Sequence, residues 1–305
     1  MEKIAYLILA HNDAPHLARL IKKLNLQADF YIHIDKKTDT KPFEQLVKSS
    51  SNIYYVSETK RVDVQWGGIS QIDATLSLIE EFLNQQKKVV YTYKKIVLLS
   101  GACYPIKSNE YIHSFFENNR STNFIRATNT TTANSNKYNR AVCKYWFFNI
   151  YINNRQLKKI SRAILEFLYS PFQKKNYFYN KAKKFDIYHG SQWWALNYDV
   201  IKYFYSSSFQ NKMARKYFKY SLAPDEKYFH TIFFNSPHKT TNQQKGPEKF
   251  VPHTSAYANI HVIDKSLSKY FTDKDFEVLS NSDKLFVRKV NSELSSSLLD
   301  QLDLI

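Results

Sequence analysis

The sequence predicts an α/β fold, a sheet with helices packed on both faces. Three observations carry this expectation. Short continuous apolar runs alternate with segments of helical periodicity through the first 128 residues. The 305-residue chain is long enough to bury a large core. Its composition, 43% hydrophobic with 16% aromatic, is that of a folded chain rather than a disordered one.

The elements follow in order. The run "IAYLILA" (4–10) reads as a buried strand. Asn12 or Asp13 can cap the next helix, with Pro15 in its first turn and Leu17, Leu20, Ile21 and Leu24 on one face. "FYIHID" (30–35) and "NIYYVS" (52–57) read as a second and a third strand. A strong helix is predicted within 66–83, with Ser70 as its N-cap and Ile72, Leu76, Ile79 and Leu83 on one stripe. "KIVLLS" (95–100) is a fourth strand. The segment 108–116 is a helix with Ile112, Phe115 and Phe116 inward, and "FIRAT" (124–128) is a fifth strand. Ligands of such sheets bind beyond the carboxyl ends of the strands. That puts Ala10, His11, Asp35, Ser100 and Gly101 on one rim.

The segment 129–185 differs. It opens polar and loop-like, then turns basic with interleaved aromatics. Ile160, Ile164, Phe167 and Leu168 form a helical apolar stripe beside Lys158, Lys159 and Arg162. The stripe reads either as a membrane-surface or acceptor-lid element, or as a solvated helix packed on the core. Order returns at 190–204 with a turn, a short strand and a helix. Pro224, Asp225 and Glu226 then precede the apolar pattern Phe229, Ile232 and Phe233, as at a helix N-terminus. A polar loop spans 235–249, and "DKLFVRKV" (283–290) is the most patterned part of the tail.

Charge and motifs narrow the chemistry. The formal net charge of +17 favours polyanionic ligands: nucleic acid, anionic lipid or phosphorylated substrates. The two cysteines, Cys103 and Cys143, make no disulfide framework and suit a reducing compartment. No apolar run reaches bilayer-spanning length, so any membrane contact is expected to be peripheral. Asp273-Lys274-Asp275 has no strand before it and reads as a helix cap, and no close His pair suits zinc. Neither G-x-G-x-x-G nor a Walker A loop is present, so side-chain cations or a helix N-terminus must neutralise any phosphate. Arg288 and Lys289 are candidates, although strand geometry would point them to opposite faces. Gly190-Ser191-Gln192 is no nucleophile elbow. Trp193-Trp194 suits either a core or stacking on a sugar ring.

Seven blocks stand in a telling order: "AYLILAH" (5–11), "HIDKK" (33–37), "VQWGGIS" (64–70), "LLSGACYPIKS" (98–108), "GSQWWAL" (190–196), "APDEKYFHTIFFNS" (223–236) and "LFVRK" (285–289). Together they resemble the core-2/I-branching β-1,6-N-acetylglucosaminyltransferases and peptide O-xylosyltransferases, family 14 of the glycosyltransferases. The segment 129–185 has no counterpart. The resemblance implies a GT-A-like fold, a mixed, mostly parallel sheet flanked by helices. It implies one catalytic domain over 1–305: a nucleotide-sugar-binding half (1–128), a variable segment (129–185), and an acceptor-binding and catalytic half (186–305).

Members of this family invert the anomeric centre without a divalent metal, so neither a metal nor a cofactor beyond a UDP-sugar co-substrate is expected. By the same resemblance Arg288 and Lys289 hold the donor diphosphate, Asp35 contacts the uridine end, and Trp66 and Gly67 line the donor pocket. Glu226 is the general base, with Asp225 beside it as cap or pocket-shaping residue. Gln192, Trp193 and Trp194 fall in a substrate-binding block. Some xylosyltransferase-type members carry an acid at the position of Gln192. The amide removes that rival base and argues against xylose transfer to a protein serine. Cys103 stands where the family often has Asp, and a structural role is expected for it.

The full expectation is an inverting, metal-independent transferase. It moves a sugar, GlcNAc by family weight, from a UDP-sugar to a glycan or lipid-linked oligosaccharide in surface polysaccharide or lipopolysaccharide synthesis. It is expected in the cytoplasm, with peripheral contact to the anionic inner face of the membrane. Two rival readings stand beside it: a basic module binding single-stranded nucleic acid, and a degenerate transferase that only binds UDP. No RNA-binding motif supports the former, and no nucleic-acid partner is expected.

Overall fold

The first apolar run forms β1 (Lys3–Ala10), the central strand of a five-stranded sheet. The computed structural model describes residues 2–131, 141–210 and 212–305. On one side β1 pairs in parallel with β2 (Ala28–Ile34), which pairs in parallel with β3 (Ile53–Tyr55). On the other side it pairs in parallel with β4 (Tyr93–Ser100). Parallel strands covered on both faces read as continuous apolar runs, which is how they appear in the sequence. Successive residues of β1 enter different cores. Ile4, Tyr6 and Ile8 meet α1 (Ala14–Leu24), α4 (Asn109–Asn118) and α10 (Ser296–Asp303). Ala5 and Leu7 meet α3 (Ser70–Gln86), α6 (Tyr198–Gln210) and α8 (Tyr228–Phe234). The result is the mixed, mostly parallel sheet flanked by helices that a GT-A-like fold requires.

Local chemistry sets the helix boundaries. Asp13 caps α1 by accepting the His16 N–H at 3.1 Å, and Ser108 caps α4 by accepting from Tyr111. A short α2 (Lys41–Leu46) follows β2. Ser70 is not the N-cap of α3. That place belongs to Ile69, and the Ser70 hydroxyl instead accepts the Gln65 N–H at 2.7 Å, bracing the turn before the helix. Leu76 of the expected stripe is only partly buried, and Leu78 and Phe82 take the core positions beside Ile72, Ile79 and Leu83.

The expected fifth strand at 124–128 does not join the sheet. The edge beside β4 is taken by β10 (Ala195–Leu196), antiparallel, and Phe124 makes only a single bridge to Ala195. β6 (Ala127–Asn129) pairs elsewhere, with β9 (Tyr188–Gly190).

A second, three-stranded sheet is the device that completes the site. β12 (Phe286–Arg288) lies between β11 (His261–Ile263) and β5 (Cys103–Pro105), with Arg288 opposite Cys103. Gly101 makes the turn from β4 into β5, where an added Cβ would meet the Ala10 Cβ at 3.0 Å. Asp273–Asp275 is a capping turn before α9 (Phe276–Ser280), the Asp275 side chain accepting the Thr272 N–H.

Of the polar loop expected after 128, residues 132–140 lie outside the described residues. Beyond it stands α5 (Arg155–Leu168), none of whose residues is buried, so the reading of this helix as packed on the core is corrected. The hairpin β7 (Tyr177–Asn180) and β8 (Lys183–Asp186) and the helix α7 (Lys212–Phe218) complete the chain. Among the described residues no helix is long and apolar enough to cross a membrane.

One buried cation ties the sheet edge together. Lys95 of β4 is fully buried, and its ammonium donates to the carbonyls of Asn119, Arg120 and Thr122 and to Asn197 Oδ1 at 2.6–3.1 Å. Lys95→Met leaves four acceptors without a donor, so urea unfolding should show a loss of about 3 kcal/mol.

Candidate functional site

A cavity of about 480 Å³ opens beyond the carboxyl ends of β1, β2 and β4. Its floor is the rim expected from the sheet: Ala10, His11, Asp35, Ser100 and Gly101 all line it. Of the residues singled out from the sequence, Asp35, Trp66, Gly67, Gln192, Trp193, Asp225, Glu226, Arg288 and Lys289 line the same cavity. Trp194 does not. It is 0% exposed, packed edge-on against Phe204 and Phe229 with ring centroids 6.3 Å away, so its substrate-binding role is corrected to a core role.

The carboxylates arrive on a tight turn. Ala223 adopts a left-handed conformation (φ 42°, ψ 62°), and its N–H donates to the Gly67 carbonyl at 3.1 Å, joining two distant blocks. Pro224–Glu226 then forms a single 3₁₀ turn, and α8 starts only at Tyr228 with Lys227 as its N-cap residue. Two expectations change. Glu226 is not in the first turn of an α-helix, and Asp225 is not a cap. Asp225 is buried and accepts from Gln71 Nε2 at 3.0 Å, while Gln71 Oε1 accepts the Gly67 N–H at 2.5 Å. Gln71 therefore fixes the carboxylate turn to the Trp66-Gly67 wall. Asp225 Oδ1 has no hydrogen-bond partner among the described residues. Glu226 is half-buried and accepts from the Thr254 hydroxyl at 3.4 Å.

Burial dominates the electrostatics here. Desolvation raises the pKa of Glu226 above the ordinary carboxylate value; Lys227 pulls it down and the charge of Asp225 pushes it further up. Asp225 is raised for the same first reason, against Lys227 and Arg288. Lys227 is lowered by burial, its ammonium donating to the carbonyls of Leu222 at 2.8 Å and Ala223 at 3.2 Å.

Opposite stand two cations. The Arg288 guanidinium lies 4.6 Å over the Trp193 ring and donates to the Ser100 hydroxyl. Cys103 is fully buried beneath it, its thiol accepting the Ser100 N–H at 3.4 Å and pushed up in pKa by burial. Arg288 and Lys289 both have lowered pKa values, first by desolvation, and for Lys289 next by the charge of Arg288. Both line the cavity, against the opposite faces that an ideal strand predicts. Lys289 makes no side-chain hydrogen bond or ion pair among the described residues, so two adjacent cations face a space that an anion can fill.

The donor-side wall is less enclosed. Trp66 is 77% exposed and meets Phe148 edge-on at 5.9 Å. Gly67 has φ 76°, and a Cβ there would stand 3.0 Å from the Phe148 ring. Asp35 accepts the Lys37 N–H at 3.0 Å and pairs with the Lys37 ammonium at 3.2 Å, so it closes the strand end while lining the cavity.

Among the lining residues outside the expected site are His11, Gln71, Thr254 and Tyr270. His11 ends the first block and was legible as a rim residue. Gln71 is an ordinary helix residue by pattern, and Thr254 and Tyr270 come from unpatterned segments. Among the described residues, no group of three or more His, Cys, Asp or Glu is placed to hold a metal ion.

An α/β sheet with an acid and paired cations around a cavity at its strand ends has the arrangement of a ligand-binding site. The chain belongs to the Core-2/I-Branching enzyme family, whose model matches residues 4–254; Arg288 and Lys289 lie beyond the matched stretch. It is 25% identical over 246 residues to xylosyltransferase 1 of Rattus norvegicus, covering 78% of this chain and 27% of that protein. It is 25% identical over 239 residues to xylosyltransferase 2 of Mus musculus, covering 77% and 25%. The chain thus spans about a quarter of the length of the curated relatives it matches. Among solved structures, the galactosyltransferase LgtC in complex with donor and acceptor sugar analogues aligns over 98% of this chain and 95% of that one, at 10% identity and a TM-score of 0.40. That likeness is too low to carry any argument about this chain.

The raised carboxyl groups have a consequence for stability. Between the ordinary carboxylate range and the raised values, the folded protein holds protons that the unfolded chain releases, so stability falls as pH rises through that window. Glu226→Gln removes its share. Calorimetry should find the variant melting above wild type on the alkaline side of the window, with the difference closing on the acid side.

Proposed function

We propose that the protein is an inverting glycosyltransferase that moves a sugar from a UDP-sugar to a glycan hydroxyl, with cationic side chains in place of a divalent metal. The observation that carries this reading is that Glu226, with a raised pKa, lines one cavity with Arg288 and Lys289. Family membership supports glycosyl transfer as the reaction class. The cavity volume suits a sugar nucleotide.

The steps follow from the groups present. The acceptor hydroxyl approaches C1 of the donor from the face opposite the nucleotide. Its oxygen forms the new bond to C1 as the Glu226 carboxylate takes its proton. The bond from C1 to the diphosphate oxygen breaks, and UDP leaves with the electron pair. Arg288 and Lys289 offset the charge growing on that oxygen. Burial helps on both sides. It raises the basicity of Glu226 toward neutral pH, and it leaves two cations short of counter-charge until the diphosphate arrives. Trp193, beneath Arg288, and Gln192 offer a ring and an amide to the sugar or acceptor. Asp35 and the Trp66-Gly67 wall are assigned to the nucleoside end.

The donor sugar has two candidates. GlcNAc is favoured by the branching enzymes of the family. Xylose is favoured by the names of the curated relatives, which weighs against excluding it on Gln192 alone. The proposed acceptor is a glycan or lipid-linked oligosaccharide of surface polysaccharide or lipopolysaccharide synthesis, at the cytoplasmic face of a membrane; the net charge of +17 supports an anionic setting.

A donor screen with UDP-GlcNAc and UDP-xylose, run with EDTA, tests the reaction. Turnover should survive EDTA. Glu226→Gln should retain UDP affinity while losing at least about 100-fold in turnover. Wild-type rate should fall as pH drops through the raised Glu226 pKa, because only the carboxylate accepts a proton. Normal turnover in Glu226→Gln would refute the base, and loss of activity on EDTA would refute the metal-free step.

The leaving-group site has its own test. Calorimetric titration of Arg288→Ala with Lys289→Ala should show UDP weakened by more than about tenfold and uridine nearly unchanged. Equal weakening of both ligands would remove the diphosphate role.

A further inference from the structure

Helix α5 is turned inside out. Its side chains separate into a polar and an apolar face, but the faces are reversed relative to a helix packed on a soluble core. Lys158, Ser161, Arg162 and Glu166 lie on the partly buried side. Leu157, Ile160, Ile164, Phe167 and Leu168 point outward, each between 54% and 77% exposed. Polar contacts hold this orientation. The Lys158 ammonium donates to Gln65 Oε1, the Arg162 guanidinium lies 4.6 Å from the Phe148 ring centre, and Glu166 pairs with Lys144 at 3.4 Å. Phe172, 62% exposed, extends the apolar surface beyond the helix. In water this arrangement forfeits the stabilisation that burial of five large apolar side chains supplies, so the face is built for an occupant.

Charge selects the occupant. Residues 155–184 hold nine Lys and Arg and a single acid, Glu166, which already faces Lys144 and Arg162. Arg155 and Lys159 stand exposed beside the stripe. The stripe is a convex ridge of aliphatic and Phe side chains rimmed by cations. That is the complement of the boundary between headgroups and acyl chains in an anionic bilayer. We propose that α5 docks the protein on an anionic lipid surface with its apolar face down.

The docking helix adjoins the mouth of the cavity. Lys158 is anchored on Gln65, next to Trp66, and Phe148 beneath Arg162 meets the Trp66 ring at 5.9 Å. Docking therefore holds the cavity close to the membrane surface, where a lipid-linked acceptor is presented. Only this last point rests on the proposed transfer reaction.

Vesicle flotation with the full chain tests the docking. Wild type should float with phosphatidylcholine vesicles containing phosphatidylglycerol, but not with phosphatidylcholine alone, and rising salt should weaken the binding. Ile164→Ser with Phe167→Ser should lower affinity for the anionic vesicles more than about tenfold. Leu157→Ser with Leu168→Ser, on the same face, should do likewise. Melting temperature and UDP affinity should stay those of wild type in both variants, separating the surface from the cavity and from any failure of the transfer reading. The proposal is overturned by absence of binding to anionic vesicles or by undiminished binding of both variants. It is equally overturned by a lipid-free wild-type dimer that the substitutions convert to monomer, which would make a second copy the occupant.

Discussion

The parallel ladder that joins β1 to β2 and β4 brings three strand ends to one rim, and the site is assembled around that rim. The Asp35 N–H donates to the Ala10 carbonyl, and the Gly101 N–H donates to the Leu9 carbonyl, so the chain leaves β2 and β4 tied to the end of β1. The rim alone holds Asp35 and Ser100 but neither the carboxylate proposed as base nor the cations. Those come from outside the sheet. β12 pairs with β5 directly after the Gly101 turn, which sets Arg288 above Cys103 and beside Ser100. The 223–226 turn reaches the same space through the Ala223–Gly67 hydrogen bond and the Gln71 clamp. Loss of the common rim would leave these pieces with nothing to converge on.

The cavity keeps opposite charges close without pairing them. Neither Asp225 nor Glu226 forms an ion pair with Arg288 or Lys289 among the described residues, although Arg288 acts on Asp225 through space. The side chains are held by neutral partners instead: Gln71, Thr254, Ser100 and the face of Trp193. A direct salt bridge would satisfy both signs and fill the space an anionic ligand needs. Neutral hydrogen bonds position the groups while leaving most of the charge for the ligand. The cost is a site that is electrostatically strained when empty, a common feature of places where binding or chemistry occurs.

Much of the framework was legible in the chain. β1, β2 and β4 are continuous apolar runs because both of their faces are covered. Asp13, one of two candidate caps, announced its helix because an N-cap needs only a local acceptor and a free N–H. Ser70 misled for the same reason, since its hydroxyl had a competing donor in the turn before it. The strand expected at 124–128 formed only at Ala127–Asn129 and outside the main sheet, because a two-residue strand, Ala195–Leu196, took the sheet edge, and an element that short leaves no periodic trace. The ordered blocks nominated Asp35, Trp66, Gly67, Gln192, Trp193, Asp225, Glu226, Arg288 and Lys289, which line the cavity, but Gln71, Thr254 and Tyr270 lie outside every block. Trp194, nominated with them, is buried instead, because two adjacent tryptophans must diverge and the pattern does not say which turns inward.

By itself the sequence determined the main strands and helices of the first sheet, which strand ends share a rim, and which charged groups are available to meet there. These follow from local propensity and from the spacing of apolar residues along the chain. Only the tertiary structure decided how those groups behave. Glu226 is raised in pKa because the surrounding chain removes water from it, and Arg288 is positioned by a strand pairing nearly two hundred residues away in sequence from Cys103. The direction of α5 was decided in the same way. Its periodicity shows that two faces exist, but Gln65 across the fold and Phe148 and Lys144 just upstream hold the polar face inward. Burial and orientation depend on what lies opposite a residue, and that partner is brought there by the fold.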